Sequence, residues 1–104
     1  MKILALEKDI PGAAPLQITD EIRQAEAARV WDLYQAGVIR EIYFRADRSA
    51  AVIILECAGV EEAREQLHTL PLAAARLIDF EVIPLAAYPG FARLFAIEND
   101  KEPA

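Results

Sequence analysis

Acidic side chains set among aliphatic ones are the first sign of chemistry in this chain. The run RLIDFEVIPL carries Asp79 and Glu81 through otherwise apolar residues, and VIREIYFRA carries Glu41, Tyr43 and Arg45. Read as strands, with successive side chains on opposite faces, the first run sends Ile78, Phe80 and Val82 one way and Leu77, Asp79, Glu81 and Ile83 the other. The second sends Ile42 and Phe44 inward and leaves Glu41, Tyr43 and Arg45 on the open side. If KILALEK presents Ile3, Ala5 and Glu7 there as well, that face joins carboxylates, a phenol and a guanidinium among aliphatic residues. Such a set has two uses. Arg45 can pair with Glu81 or Asp79 across the sheet or a dimer interface, which is how charges on a covered face are tolerated. Alternatively, two sheets enclose a pocket in which a carboxylate of raised pKa moves a proton while Arg45 or Tyr43 holds an anionic or carbonyl group.

Three further residue types bear on that choice. Glu26 lies close to the apolar side of a helix, one turn before Val30. It is either a solvated partner of Arg23 or Arg29, or a carboxylate that looks into a cavity at the sheet edge. His68, the one histidine, sits about 100° from the Leu67 stripe near a helix C-terminus. There it either complements the helix dipole or lines a pocket as a hydrogen-bond donor. Trp31 and Tyr34, like Tyr88 and Phe91, are packing residues singly and together an apolar wall for a flat ligand.

Other chemistries find no residues to carry them. The chain has no glycine-rich phosphate loop, no Ser-His-Asp arrangement and no reactive Cys-His pair. One histidine and one distant cysteine, Cys57, give no metal-ligand spacing, and no metal or organic cofactor is expected. Cys57, in AAVIILECA, reads as a buried strand thiol. With 17 acidic and 11 basic side chains the net charge is −6, which opposes the counterion release that drives nucleic-acid binding. No run approaches the ~20 apolar residues of a membrane helix, and charges interrupt the apolar start before it could serve as a signal peptide. A soluble, cytoplasmic protein is expected.

The elements that must position these residues follow from pattern. KILALEK is a first strand, and DIPGAAPLQ a loop. A helix begins near Ile18 or Asp20 with Thr19 or Asp20 as cap, and ends at Gly37. VIREIYFRA and AAVIILECA form a hairpin about the turn DRS. GVEEAREQLHTL puts Val60, Ala63, Leu67 and Leu70 on one helical face and is expected to stop at Pro71. RLIDFEVIPL is the last strand. The order β-α-β-β-α-β is that of a ferredoxin-like α+β sandwich, with one domain over 1–97 and a disordered tail over 98–104. Both helices cover one sheet face. The other face, and Tyr88, Phe91, Leu94 and Phe95 beyond the last strand, call for a second copy.

The stretches LYQAGVIREIYF and LPLAAARLIDFEVIPLAAYPG resemble the muconolactone isomerase family, whose members are dimeric α+β barrel proteins. A helix ends in an Ala-Gly step, and LPL, an Asp-x-Glu-Val strand and PLAxxP recur in order, within a similarity running from Leu16 to Gly90. The resemblance implies ferredoxin-like subunits paired sheet to sheet in a homodimer or larger homo-oligomer. It also implies a reaction that moves a double bond in a lactone by removing a proton next to a carbonyl and returning it elsewhere. Glu26 falls where the resemblance puts a glutamate on the first helix, which makes it the expected base. Tyr43, Arg45, His68 and Glu81 are the expected substrate contacts, with Trp31 and Tyr34 as the wall. Two other expectations stand beside this one, a cofactor-free oxygenase or cyclase of the same superfamily and a non-enzymatic binding or assembly protein.

Overall fold

The computed structural model describes residues 1–95, so the end of the expected domain and the tail over 98–104 lie outside the described residues. Four strands, β1 (Lys2–Asp9), β2 (Ile39–Phe44), β3 (Ala51–Glu56) and β4 (Ile78–Pro84), form one antiparallel sheet in the order β2-β3-β1-β4. Between β1 and β2 runs α1 (Asp20–Gln35). Between β3 and β4 lie α2 (Val60–Leu67) and a single turn, α3 (Pro71–Ala74). This is the ferredoxin-like arrangement that the sequence order implies.

Capping explains where α1 begins and ends. The Thr19 hydroxyl accepts the N–H of Ile22 at 3.2 Å, satisfying a first-turn donor, and Asp20 and Glu21 place negative charge at the positive end of the helix. At the other end Gly37 takes a φ of +78°, and Val38 N–H bonds back to Leu33 C=O at 3.0 Å, closing the turn that feeds β2.

The core lies between the helices and one face of the sheet. Ile3, Ala5, Ile53, Leu55, Leu67 and Leu70 are essentially solvent-free, with Phe80 and Leu33 beside them. Each buried aliphatic or aromatic side chain contributes roughly 1.5–3 kcal/mol. Only Leu33 of α1 is buried, so most of the broad apolar side of that helix remains open toward the sheet edge.

The structure corrects two readings. Ile3, Ala5 and Glu7 do not lie on the open face. Ala5 stands opposite Ile53 on β3 and Val82 on β4, both on the helix side, so the odd positions of β1 face the helices and Leu4 and Leu6 take the open side. Pro71 does not end α2 either. That helix stops at Leu67, where Thr69 and Leu70 bond back to Gln66 and Leu67, drawing Leu70 into the core. Pro71 instead opens α3, at a position whose missing N–H would have no helical partner.

Candidate active-site cleft

Because α1 leaves the outer edge of the sheet uncovered, a cleft of about 870 Å³ opens between them. The sheet supplies its floor through Ile42, Phe44, Ala51, Ile53 and Phe80. One face of α1 supplies its wall, where spacings of three and four residues bring Arg23, Glu26, Ala27, Val30, Trp31 and Tyr34 into line. Leu72 of α3 closes one end.

Glu26 projects from this wall, half-buried. Its Oε1 accepts the Leu72 N–H at 2.9 Å, and its second oxygen has no partner among the described residues. Burial pushes its pKa up from the ordinary carboxylate value. The Leu72 hydrogen bond opposes that shift, and the charge of Glu7 adds to it. The expected pairing with Arg29 is absent, because Arg29 Nε donates to Thr69 Oγ1 at 2.9 Å. A purely structural glutamate tying α1 to α3 would also make the Leu72 bond. The opening of its free oxygen into an apolar cleft is what a structural tie does not need.

Glu7 enters from the floor. Its Oε1 accepts the Ala51 N–H at 3.0 Å. Sequence reasoning missed it as a cleft residue because Ile3, Leu4, Ala5 and Leu6 are all apolar, which hides the parity of β1. Arg23 and Ser49 line the same space, and Arg23 makes no ion pair among the described residues. Trp31 and Tyr34 stack at a centroid distance of 5.8 Å with 24° between ring planes, and together with Phe44 they leave an exposed aromatic mouth.

The remaining expected site residues lie elsewhere. Tyr43 donates its hydroxyl to Glu41 Oε1 at 2.7 Å on the open face, and that bond raises the phenol pKa. Arg45 does not pair with Glu81 or Asp79. Its guanidinium forks onto Asp47 in the hairpin turn at 2.8 and 2.6 Å, holding the Asp47 carboxyl below its usual range. Asp79 lies 3.9 Å from Lys8, and Glu81 stands opposite Leu6 on the open face. His68 caps the end of α2 and lines a separate depression of about 510 Å³ with Arg76 and Asp79. Cys57 is buried just past the end of β3, and burial raises its thiol pKa. Among the described residues no three His, Cys, Asp or Glu side chains are grouped to hold a metal ion.

Of the expected residues, then, Glu26, Trp31 and Tyr34 share the cleft, while Tyr43, Arg45, Glu81 and His68 stand outside it. A placed carboxylate in an apolar, aromatic-walled cleft can remove a proton from an activated carbon and return it.

Comparison with known proteins adds to this geometry. The model of the muconolactone delta-isomerase family matches residues 3–90. A crystal structure of muconolactone isomerase superposes with a TM-score of 0.69 at 22% identity, over 86% of this chain and 92% of that one. The 5-chloro-2-hydroxyhydroquinone dehydrochlorinase TftG from Burkholderia phenoliruptrix AC1100, in complex with 2,5-dihydroxybenzoquinone, superposes with a TM-score of 0.62 at 21% identity. That match covers 86% of this chain and 98% of TftG. At these identities the two structures establish the shared fold. Among curated proteins no sequence match is found.

Proposed function

This chain belongs to the muconolactone delta-isomerase family, and on that premise we propose that it isomerises a small lactone or carbonyl compound of aromatic breakdown by proton transfer, with Glu26 as the base. The observation that carries this reading is the half-buried Glu26 carboxylate, anchored by one oxygen to Leu72 and free at the other within an apolar cleft. A carboxylate whose pKa is raised by desolvation is a stronger base once ionised than a fully solvated one.

The enolate that forms when the proton leaves needs a positive or hydrogen-bonding partner. Tyr43, Arg45, Glu81 and His68 lie outside the cleft, so Arg23, Tyr34 and Ser49 are the groups assigned to hold the substrate's oxygen atoms. Trp31 and Tyr34 pack against its ring. Proton removal also opens a dehydrochlorination, the reaction for which the second structural neighbour is named, and a chlorinated substrate would use the same base.

Self-association completes the proposal. Leu4, Leu6, Val52, Ile54 and Ile83 form an apolar stripe on the face that no helix covers. Tyr88, just before the 3₁₀ segment beyond β4 (Pro89–Phe95), and Phe91, Leu94 and Phe95 within it are each about two-thirds exposed or more. Both suit contact with further copies of the chain. No helix among the described residues is long and apolar enough to cross a membrane.

Proton NMR of muconolactone in D₂O tests the reaction. Wild-type protein is expected to move the double bond with solvent deuterium entering the carbon beside the carbonyl, and Glu26→Gln is expected to slow this at least a hundredfold. Unchanged turnover in the variant would remove Glu26 from the reaction. No turnover of muconolactone or related lactones by the wild type would favour the binding-protein reading.

A further inference from the structure

Resting on the proton-transfer reading above, we propose that Glu7 is a second catalytic residue of the cleft, relaying the proton that Glu26 removes to the other end of the substrate's three-carbon unit. Three observations support a division of labour. Glu7 and Glu26 line one cleft but come from different layers, Glu7 from the central strand β1 in the floor and Glu26 from α1 in the wall. Each carboxylate is fixed by one backbone N–H, Ala51 for Glu7 and Leu72 for Glu26, and each has a second oxygen with no partner among the described residues. The anchors limit how far either group can swing, and a flat substrate lying between floor and wall turns one face to each.

The steps balance without any co-reactant. Glu26 takes a proton from the first carbon, and the C–H electron pair spreads through the double bond onto the carbonyl oxygen as an enolate. The proton on Glu26 passes to the Glu7 carboxylate through water in the open cleft, restoring ionised Glu26. Glu7 then gives a proton to the carbon at the other end of the unit. There the enolate electrons form the new C–H bond, the carbonyl re-forms and the double bond has moved. Both carboxylates finish as they began. The electrostatic influence of Glu7 on Glu26 agrees with two charges that sense each other across the cleft.

Glu7→Gln separates the two half-reactions, and the amide oxygen of glutamine can still accept the Ala51 N–H. With muconolactone in D₂O, the variant is expected to exchange solvent deuterium into recovered substrate at the carbon that loses its proton, within a few-fold of the wild-type rate of proton removal. Product formation is expected to fall about a hundredfold. Glu26→Gln should abolish both. If Glu7→Gln leaves product formation unchanged, or lowers exchange and product formation together, the relay is wrong.

A second measurement needs no variant. In the wild-type product from stereospecifically labelled muconolactone, the proton should leave one face of the ring and arrive on the other, and transfer on a single face would overturn the relay. Failure of the wild type to exchange or isomerise at all is a different result, one that removes the proton-transfer reading and the relay with it.

Discussion

Glu26 Oε1 accepts the Leu72 N–H across the gap between α1 and α3, so the side chain that reaches into the cleft also holds the first turn of the shortest helix. That tie has a consequence for stability as a function of pH. Folding raises the pKa of Glu26 above its ordinary 4.5, chiefly through burial. The folded protein therefore binds the proton more tightly than the unfolded chain. The stability this contributes is fully present below 4.5 and is lost as pH rises through the raised folded value. Glu26→Gln removes the titration and keeps an oxygen for Leu72. Urea unfolding from about pH 4 to about pH 7 is expected to show the variant gaining stability relative to wild type as pH rises. A difference that runs the other way would mean that the Leu72 bond outweighs burial.

Trp31 is the only tryptophan, stands 57% exposed and stacks on Tyr34 at the mouth of the cleft. Binding of a flat lactone is expected to quench its fluorescence. Trp31→Ala should weaken binding by about 0.5–1.5 kcal/mol, read by calorimetric titration, because a stacked aromatic contact is lost. So exposed a side chain contributes little to folding, so the unfolding midpoint of the variant should barely move.

On the uncovered face, Ile54 lies between Leu4 of β1 and Glu41 of β2. Ile54→Lys puts a cation in the middle of the apolar stripe while leaving Glu41 beside it as a partner. Sedimentation velocity is expected to show the wild type as an oligomer and the variant shifted to monomer, since taking even a paired charge out of water between two sheets is costly. An unchanged assembly would place the subunit contact elsewhere, with the segment beyond β4 as the alternative.

Arg76 is the one non-glycine residue among those described with positive φ, at 59°, and it follows the end of α3 in the place where helices favour glycine. Its N–H bonds to Ala73 C=O and that of Leu77 to Leu72 C=O, so the left-handed turn is required by the hydrogen bonding and not by the arginine side chain. Arg76→Gly should raise stability by about 1 kcal/mol, seen as a Tm several degrees higher in a thermal melt.

The element order was legible because each segment carries its own signal. Thr19 before an acidic turn, Gly37 after an apolar helix, and the polar DRS turn between two runs rich in β-branched residues are local features that need no tertiary knowledge. In β2 and β4 the alternation is clean enough to assign faces, and Ile42, Phe44, Ile78 and Phe80 lie toward the helices, as that alternation requires. β1 is different. Ile3, Leu4, Ala5 and Leu6 give apolar residues at both parities, because a central strand is covered on one side by helices and is apolar on the other side as well. The side on which Glu7 emerges is decided by pairing with β3 and β4, which is long-range information. The attachment of Arg45 to Asp47 was hidden for the opposite reason. It is a contact two residues away, formed where the strand has already given way to a turn, so strand alternation no longer says what lies beside it.

The parity of β1 makes one short strand carry two separate messages. Its odd positions face the helices, Ile3 and Ala5 in the core and Glu7 at the cleft, and its even positions Leu4 and Leu6 face the uncovered side. Substitutions at Leu4 or Leu6 therefore alter the face proposed for contact between copies without changing a cleft-facing side chain, and a change at Glu7 alters the cleft without altering that face. The same arrangement makes insertion far more disruptive than substitution. One extra residue in β1 would exchange the two readouts at once, turning a carboxylate toward the uncovered face and a leucine toward the cleft. Divergence within this architecture is thus expected to proceed by replacing side chains along a strand whose length stays constant.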